Sequence, residues 1–176
     1  MGISNLIYDS WMKEAQYKKY SGIFPMLQRA GVDFQGKALD VGVGTGLFED
    51  YLKGKGVQLD VSGIDIDEKM LREAKKKGYK VAKGTAEKLP FTDEAFDFLI
   101  CLDTIHLVGK KDQALSEFMR VLKPGGFILL SHYCNTFTKT ETVQTMESML
   151  KDFNVIDKKL VGHSDGELAV VFLIKK

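Results

Sequence analysis

Hydrophobic positions along this chain change period several times, and each change marks an element. Phe96-Asp97-Phe98-Leu99-Ile100-Cys101-Leu102 is nearly continuous apolar sequence. Such a run predicts a parallel strand covered on both faces, and so the middle of a sheet. A shorter strand over 37–42 runs into a glycine turn, and Leu47 to Leu52 continue as a helix. Strand-like sequence returns over 59–66; Asp67 then caps a helix over 68–77 that Gly78 stops. Residues 79–82 form a third, short strand. Ala114, Leu115, Phe118, Val121 and Leu122 recur at helical spacing, so a helix is expected over 111–122, ended by Lys123-Pro124-Gly125-Gly126. A fifth strand follows over 127–133, and Val143, Met146, Leu150 and Phe153 give the buried side of a further helix.

The two ends depart from this alternation. Residues 10–30 carry Trp11, Ala15, Phe24 and Leu27 but also the breakers Gly22 and Pro25, which predicts two short helical pieces. At the other end, runs over 155–161 and 168–174 are separated by Gly162-His163-Ser164-Asp165-Gly166 with no helix between them, hence an antiparallel hairpin. The whole reads as α/β: a doubly wound, Rossmann-like sheet of about seven strands, mostly parallel with an antiparallel C-terminal hairpin strand. At 176 residues it is a single domain over 1–176, with an N-terminal helical cap over 1–30, a core over 36–135, and a C-terminal helix and hairpin over 139–176.

Composition narrows the setting. With 44% hydrophobic and 28% charged residues the chain is an ordinary globular one. Its 25 Lys and Arg against 24 Asp and Glu create no field that would draw nucleic acid or an anionic membrane. The run Lys75-Lys76-Lys77 reads as a solvated helix face. Cys101 and Cys134 suit a reducing compartment, and with His106, His132 and His163 they show no metal-ligand spacing, so no metal is expected. No signal peptide opens the chain, Leu6 breaks a myristoylation pattern, and no apolar stretch approaches the roughly 20 residues of a membrane span. A soluble, cytoplasmic protein is expected.

In open parallel sheets ligands sit outside the carboxyl ends of the strands, where the strand order reverses. Gly42, Gly44 and Gly46 follow the first strand and allow both a tight turn and close approach of a ligand to the backbone. Asp40 ends that strand and Asp65 ends the next. A carboxylate at the second position is suited to accept from both hydroxyls of a ribose, which fits any adenosine cofactor.

Four ordered blocks sharpen this: Ala38-Leu39-Asp40-Val41-Gly42-Val43-Gly44-Thr45-Gly46; Gly63-Ile64-Asp65-Ile66-Asp67; Gly84-Thr85-Ala86-Glu87-Lys88-Leu89-Pro90-Phe91 leading into Phe96-Asp97; and Arg120-Val121-Leu122-Lys123-Pro124-Gly125-Gly126. In these the chain resembles the class I S-adenosylmethionine-dependent methyltransferases, in the group typified by the ubiquinone and menaquinone biosynthesis enzymes. The resemblance implies S-adenosyl-L-methionine as cofactor, with Gly42, Gly44 and Gly46 along its methionine and ribose portion and Asp40 holding its amino group. It implies Asp65 on the ribose hydroxyls, Ile66 on the adenine, the Ala86 amide on the adenine ring and the Leu102 carbonyl on the cofactor's amino group. The fourth block is implied to be structural. Many relatives carry Asp where Thr85 stands; Thr85 still accepts one hydrogen bond without charge and Glu87 is a substitute acceptor, so cofactor binding weakens by roughly 0.5 to 1.5 kcal/mol.

The acceptor side is less determined. His106 leaves the central strand toward the methyl site and is the candidate general base, with a packed, hydrogen-bonded histidine as the competing reading. Asp103 shares that position. Tyr8, Trp11 and Tyr133, with Phe137, are candidate acceptor-lining residues, against simple core or lid packing. Little chain is left for a substrate domain, which favours a small-molecule acceptor. Asp103-Thr104-Ile105 stands where nucleic-acid amino methyltransferases carry a Pro-Pro-aromatic motif, which argues against a nucleic-acid partner. Two other readings stay open: a non-catalytic S-adenosylmethionine-binding or regulatory protein, and an NAD-dependent oxidoreductase, whose third glycine would stand at Leu47. A homo-oligomer could complete the site from a neighbouring chain.

Overall fold

A computed structural model describes residues 3–164 and 167–176, with side chains described over 13–162 and 167–176. The side chains of Tyr8, Trp11 and His163 lie outside the described residues. Seven strands form one sheet: β1 (Lys37–Val41), β2 (Asp60–Asp65), β3 (Lys80–Lys83), β4 (Phe96–Cys101), β5 (Leu122–Asn135), β6 (Val155–Ser164) and β7 (Glu167–Lys175). Their order is β3-β2-β1-β4-β5-β7-β6. The first five run parallel, and β7 enters antiparallel between β5 and β6. The helices are α1 (Ile3–Arg29), α2 (Leu47–Gly54), α3 (Glu68–Lys76), α4 (Lys111–Val121) and α5 (Lys139–Met149), with a single 3-10 turn at Ile105–Leu107.

The continuous apolar run is explained by position: β4 is the central strand. Phe98 and Ile100 point into a core under α1 and α2, while Leu99 and Cys101 point into the opposite core under α4 and α5. The same alternation splits β7, with Ala169, Val171 and Leu173 on the first face and Val170, Phe172 and Ile174 on the second. The edge strands carry Lys80 and Lys83 on β3 and Asp157, Lys158 and Lys159 on β6, charges that discourage edge-to-edge pairing.

Two local expectations are corrected. Residues 10–30 are not two short pieces: α1 is one helix of 27 residues with Pro25 inside it. Interior proline costs about 3 kcal/mol. Ile23, Met26 and Leu27, fully buried around it against the sheet, outweigh that at roughly 1.5 to 3 kcal/mol each. Gly22 serves the same contact, since a β-carbon there would stand 3.0 Å from Val161 Cγ1 of β6. Second, Lys123-Pro124-Gly125-Gly126 is not a separate turn between helix and strand. The chain enters β5 at Leu122, which pairs with Phe96 before a bulge, and register resumes at Phe127 opposite Phe98. The C-terminus closes the bulge: the Gly125 amide donates to Lys176 O and the Lys176 amide to Gly126 O, each at 3.0 Å.

Candidate functional site

The strand order reverses between β1 and β4, and the glycine turn caps that point. Gly42, Gly44 and Gly46 have φ of 84°, 56° and 78°. The amides of Gly42 and Val43 donate to Ile64 O at 2.8 and 3.1 Å, tying the turn to β2. The first two glycines are required for different reasons. A β-carbon on Gly42 would stand 2.1 Å from Thr104 Oγ1, so that glycine admits protein. At Gly44 a β-carbon would meet nothing within 4 Å, so its bare backbone faces open space. Asp65 braces the same loop, its Oδ2 accepting from the Gly44 amide and its Oδ1 from the Asp67 amide, both at 2.9 Å.

Beneath the turn lies a buried charged cluster. Asp40 ends β1 and Glu49 stands in the first turn of α2, and both are buried. The two carboxyls lie against each other and share a proton, and the Glu49 backbone amide also favours its own charged carboxyl. Burial, then the Glu49 charge, pushes the Asp40 carboxyl well above the usual carboxylate range; burial likewise raises Glu49. Lys19 of α1, 1% exposed, ion-pairs with Asp103 and lies 5.2 Å from the Tyr20 ring centroid. Burial lowers the Lys19 ammonium, opposed by Asp103 and Asp40. Asp103 itself has φ of 49°, and Ser131 of β5 holds it by accepting from its amide at 2.9 Å and donating to its Oδ1 at 2.7 Å.

On the β2 side of the crevice, Ile66 is 67% exposed directly after Asp65, an apolar surface left open to a ligand. Ala86 is buried and Thr85 exposed. Glu87 turns toward the loop after β4; its own amide, those of Lys110 and Gly109, and the Thr85 hydroxyl hold its carboxyl below the ordinary range. The Leu102 carbonyl accepts from Thr104 Oγ1 at 3.0 Å and keeps a second lone pair. Arg120 has the structural role expected of its block: its guanidinium donates to Leu89 O, Phe91 O, Asp93 and Glu117, fastening the third block to α4.

His106, in the turn after β4, is half-buried with Nδ1 enclosed and unpartnered, and burial, then His132, lowers its pKa. The His106 and His132 rings lie 5.1 Å apart. His132 Nδ1 sits 2.6 Å from Tyr133 O; a carbonyl only accepts, so this nitrogen carries hydrogen. Tyr133 donates to Glu167 Oε1 at 3.3 Å, and Phe137 is 95% exposed beyond β5. A groove of about 940 Å³ between α4 and α5, lined in part by Lys110, Gln113, Gln144 and Met149, holds none of these residues.

Lys19 and Glu49 escaped the sequence reading, although each left a trace. Lys19 interrupts the inward stripe of Ala15, Ile23, Met26 and Leu27 at helical spacing, and Glu49 stands three residues before buried Leu52. A charged side chain on an apolar stripe needs a partner. Asp103, Ser131 and Asp40 come from distant strands, and only the sheet brings them there. Among the described residues, no His, Cys, Asp or Glu side chains group in threes as metal ligands, and no helix is long and apolar enough to cross a membrane.

Comparison with known proteins agrees with this geometry. A family model described as "Methyltransferase domain" matches residues 39–130. A ubiquinone/menaquinone biosynthesis C-methyltransferase, UbiE, from Laribacter hongkongensis is 36% identical over 129 residues, covering 69% of this chain and 53% of its own. The chain spans about half the length of the UbiE proteins it matches. Among solved structures, a Methanosarcina mazei protein described as a SAM-dependent methyltransferase superposes with a TM-score of 0.72 at 18% identity, over 85% of this chain and 96% of the other. A Thermotoga maritima protein, described as a possible histamine N-methyltransferase, gives 0.66 at 24% identity over 96% and 95%. The fold and these matches together make the chain a member of the class I S-adenosylmethionine-dependent methyltransferase family, in its UbiE-like group.

Proposed function

We propose that the chain binds S-adenosyl-L-methionine at the glycine turn and transfers its methyl group to a small-molecule acceptor. The observation that carries this reading is Gly44, a left-handed glycine whose missing side chain opens onto the crevice rather than onto protein. Asp65 beside it and exposed Ile66 fit a ligand with a ribose and an apolar ring. Bound there, S-adenosylmethionine supplies a methyl group already activated by its sulfonium.

The protein's own residues have a positioning task, worth up to about 7 to 11 kcal/mol in favourable intramolecular models. Gly44, in the turn it shares with Gly42 and Gly46, admits the cofactor to the backbone, Asp40 takes its ammonium, and Asp65 takes the ribose hydroxyls. Ile66 and the Ala86 amide receive the adenine. Thr85 and Glu87, engaged with each other and the 109–110 loop, border that pocket. The Leu102 carbonyl has a lone pair for the cofactor's amino group.

His106 is the base for an acceptor that must lose a proton, and its burial keeps the imidazole neutral and able to take one. Tyr133, with the chain carrying Tyr8 and Trp11, borders the acceptor. Both cysteines are buried and free, which supports a reducing, cytoplasmic setting. Thermal melts with S-adenosylhomocysteine and with NAD test the cofactor: stabilisation by S-adenosylhomocysteine is expected, and stabilisation by NAD alone overturns the reading. Release of S-adenosylhomocysteine across a panel of small oxygen, nitrogen, carbon and sulfur acceptors identifies the substrate.

A further inference from the structure

We propose that His132 completes the proton-accepting group on the acceptor side of the crevice: a proton taken up at His106 settles on His132, so the two imidazoles work as one base. This depends on the methyltransferase reading of the site, with His106 facing the acceptor. The two residues stand at the carboxyl ends of adjacent parallel strands, His106 in the turn after β4 and His132 late in β5, and their rings lie 5.1 Å apart. Their ring nitrogens are placed differently. His106 Nδ1 is enclosed by protein without a hydrogen-bond partner, which leaves Nε2 as its open nitrogen. A protonated imidazole carries hydrogen on both nitrogens, so a proton kept on His106 would strand an enclosed N–H. His132 has the opposite arrangement. Its Nδ1 lies 2.6 Å from Tyr133 O and carries the hydrogen of the neutral ring, which makes Nε2 the nitrogen with the free lone pair. Protonation at Nε2 keeps the Nδ1–H bond and strengthens it, in a ring that is only half-buried.

The proton count of methyl transfer defines the task of the pair. A lone pair on the acceptor atom forms the new bond to the methyl carbon, the carbon–sulfur electron pair stays on sulfur, and the acceptor's bond to hydrogen returns its pair as the proton leaves. That proton passes to His106 Nε2, then through a bridging water to His132 Nε2, and finally to solvent, so both rings end neutral. Two positive rings at this separation repel, and the pair holds one proton at a time. The other charged groups facing His106 are Asp103, from the loop after β4, and Lys111 of α4; Asp103 favours a charged ring, while Lys111, like His132, opposes it. Asp103 is engaged by Lys19 and Ser131, and beside His132 the Tyr133 hydroxyl donates to Glu167.

Ring-nitrogen NMR of the whole chain, assigned with His106→Gln and His132→Gln, tests the pair and needs no acceptor. At neutral pH the His132 signals should be those of a ring with hydrogen on Nδ1. On acidification His132 should take its proton before His106, and in His132→Gln the His106 midpoint should rise by about half a pH unit or more. S-adenosylmethionine should lower both midpoints relative to S-adenosylhomocysteine, because the two ligands differ by the methyl group and the positive charge on sulfur. Hydrogen on His132 Nε2 in the neutral ring overturns the proposal, as does protonation of His106 first. So does an unmoved His106 midpoint in a His132→Gln protein that melts as wild type does. Equal midpoints with the two ligands bound would place the pair away from the methyl group and overturn its role. If neither ligand moves any signal of the chain, the S-adenosylmethionine reading itself fails instead.

Discussion

Lys19 of α1 ion-pairs with Asp103, the left-handed residue just past β4, across a sequence separation of 84 residues. This contact fastens the N-terminal helix to the rim of the crevice, and Ser131 holds the same aspartate from β5. Breaking a buried pair from one side strands the other charge, at about 3 to 5 kcal/mol. Lys19→Met should therefore lower stability by about 3 kcal/mol in urea unfolding. The double variant Lys19→Met, Asp103→Asn should recover part of that loss. Strict additivity of the two single changes would show that the pair is not coupled.

Gly42 and Gly44 separate structural from ligand-binding demand within one turn. Gly42→Ala drives a methyl group into Thr104, adding about 1 to 3 kcal/mol of overpacking to about 1 to 2 kcal/mol of left-handed strain. Gly44→Ala carries the backbone strain alone, because nothing stands near its β-carbon. Melting curves should rank Gly42→Ala as the less stable variant. S-adenosylhomocysteine affinity should nonetheless fall at least tenfold in Gly44→Ala, and a normal affinity there would remove Gly44 from the cofactor site.

Asp65 has two duties, so its replacements should separate them. Its oxygens hold the Gly44 and Asp67 amides at 2.9 Å. Asp65→Ala should lose cofactor affinity by roughly 1 to 3 kcal/mol and also some stability through the two orphaned amides. Asp65→Asn retains a carbonyl acceptor and should lose less of both. Equal affinity of wild type and Asp65→Ala, measured by calorimetry, would refute the ribose assignment.

The buried carboxyl pair predicts how stability varies with pH. Asp40 and Glu49 both titrate above the ordinary carboxylate range in the folded chain, so the folded state keeps protons that the unfolded state has released. Their contribution to stability is fully present below the unfolded values, near pH 4, and is lost as pH rises through the folded ones. Glu49→Gln removes one ionisable member. The variant should melt higher than wild type at neutral pH, by about 2 to 4 °C per kcal/mol relieved, and the gain should shrink toward about pH 4. A gain independent of pH would mean that the pair does not titrate as described.

Arg120 predicts a local effect at a distance from the ligand. Lysine in its place cannot reach Leu89 O, Phe91 O, Asp93 and Glu117 together. Arg120→Lys should cost about 1 to 3 kcal/mol and speed hydrogen exchange at the amides of residues 85–91. Unchanged exchange there would show that α4 does not hold the third block.

Local sequence was enough to show the sheet and the position of the glycine turn. Phe96 to Leu102 reads as a central strand because both its faces are covered, and the terminal hairpin is visible because no helix separates its two strands. Asp40, the three glycines and Asp65 are legible because each follows directly from the end of its own strand. What escaped depends on contacts across the fold. Gly22 and Pro25 read as breaks in isolation, and only packing against β6 and the sheet makes α1 continuous. Lys19, Asp103 and Ser131 come from a helix and two strands far apart in the chain, so their meeting is decided by the order of strands. Glu49 lies in the first turn of α2, and only the tertiary fold buries it beside Asp40. Local propensity and periodicity fix what each segment becomes, whereas burial sets the charge and partner of an ionisable side chain, and burial belongs to the tertiary structure alone.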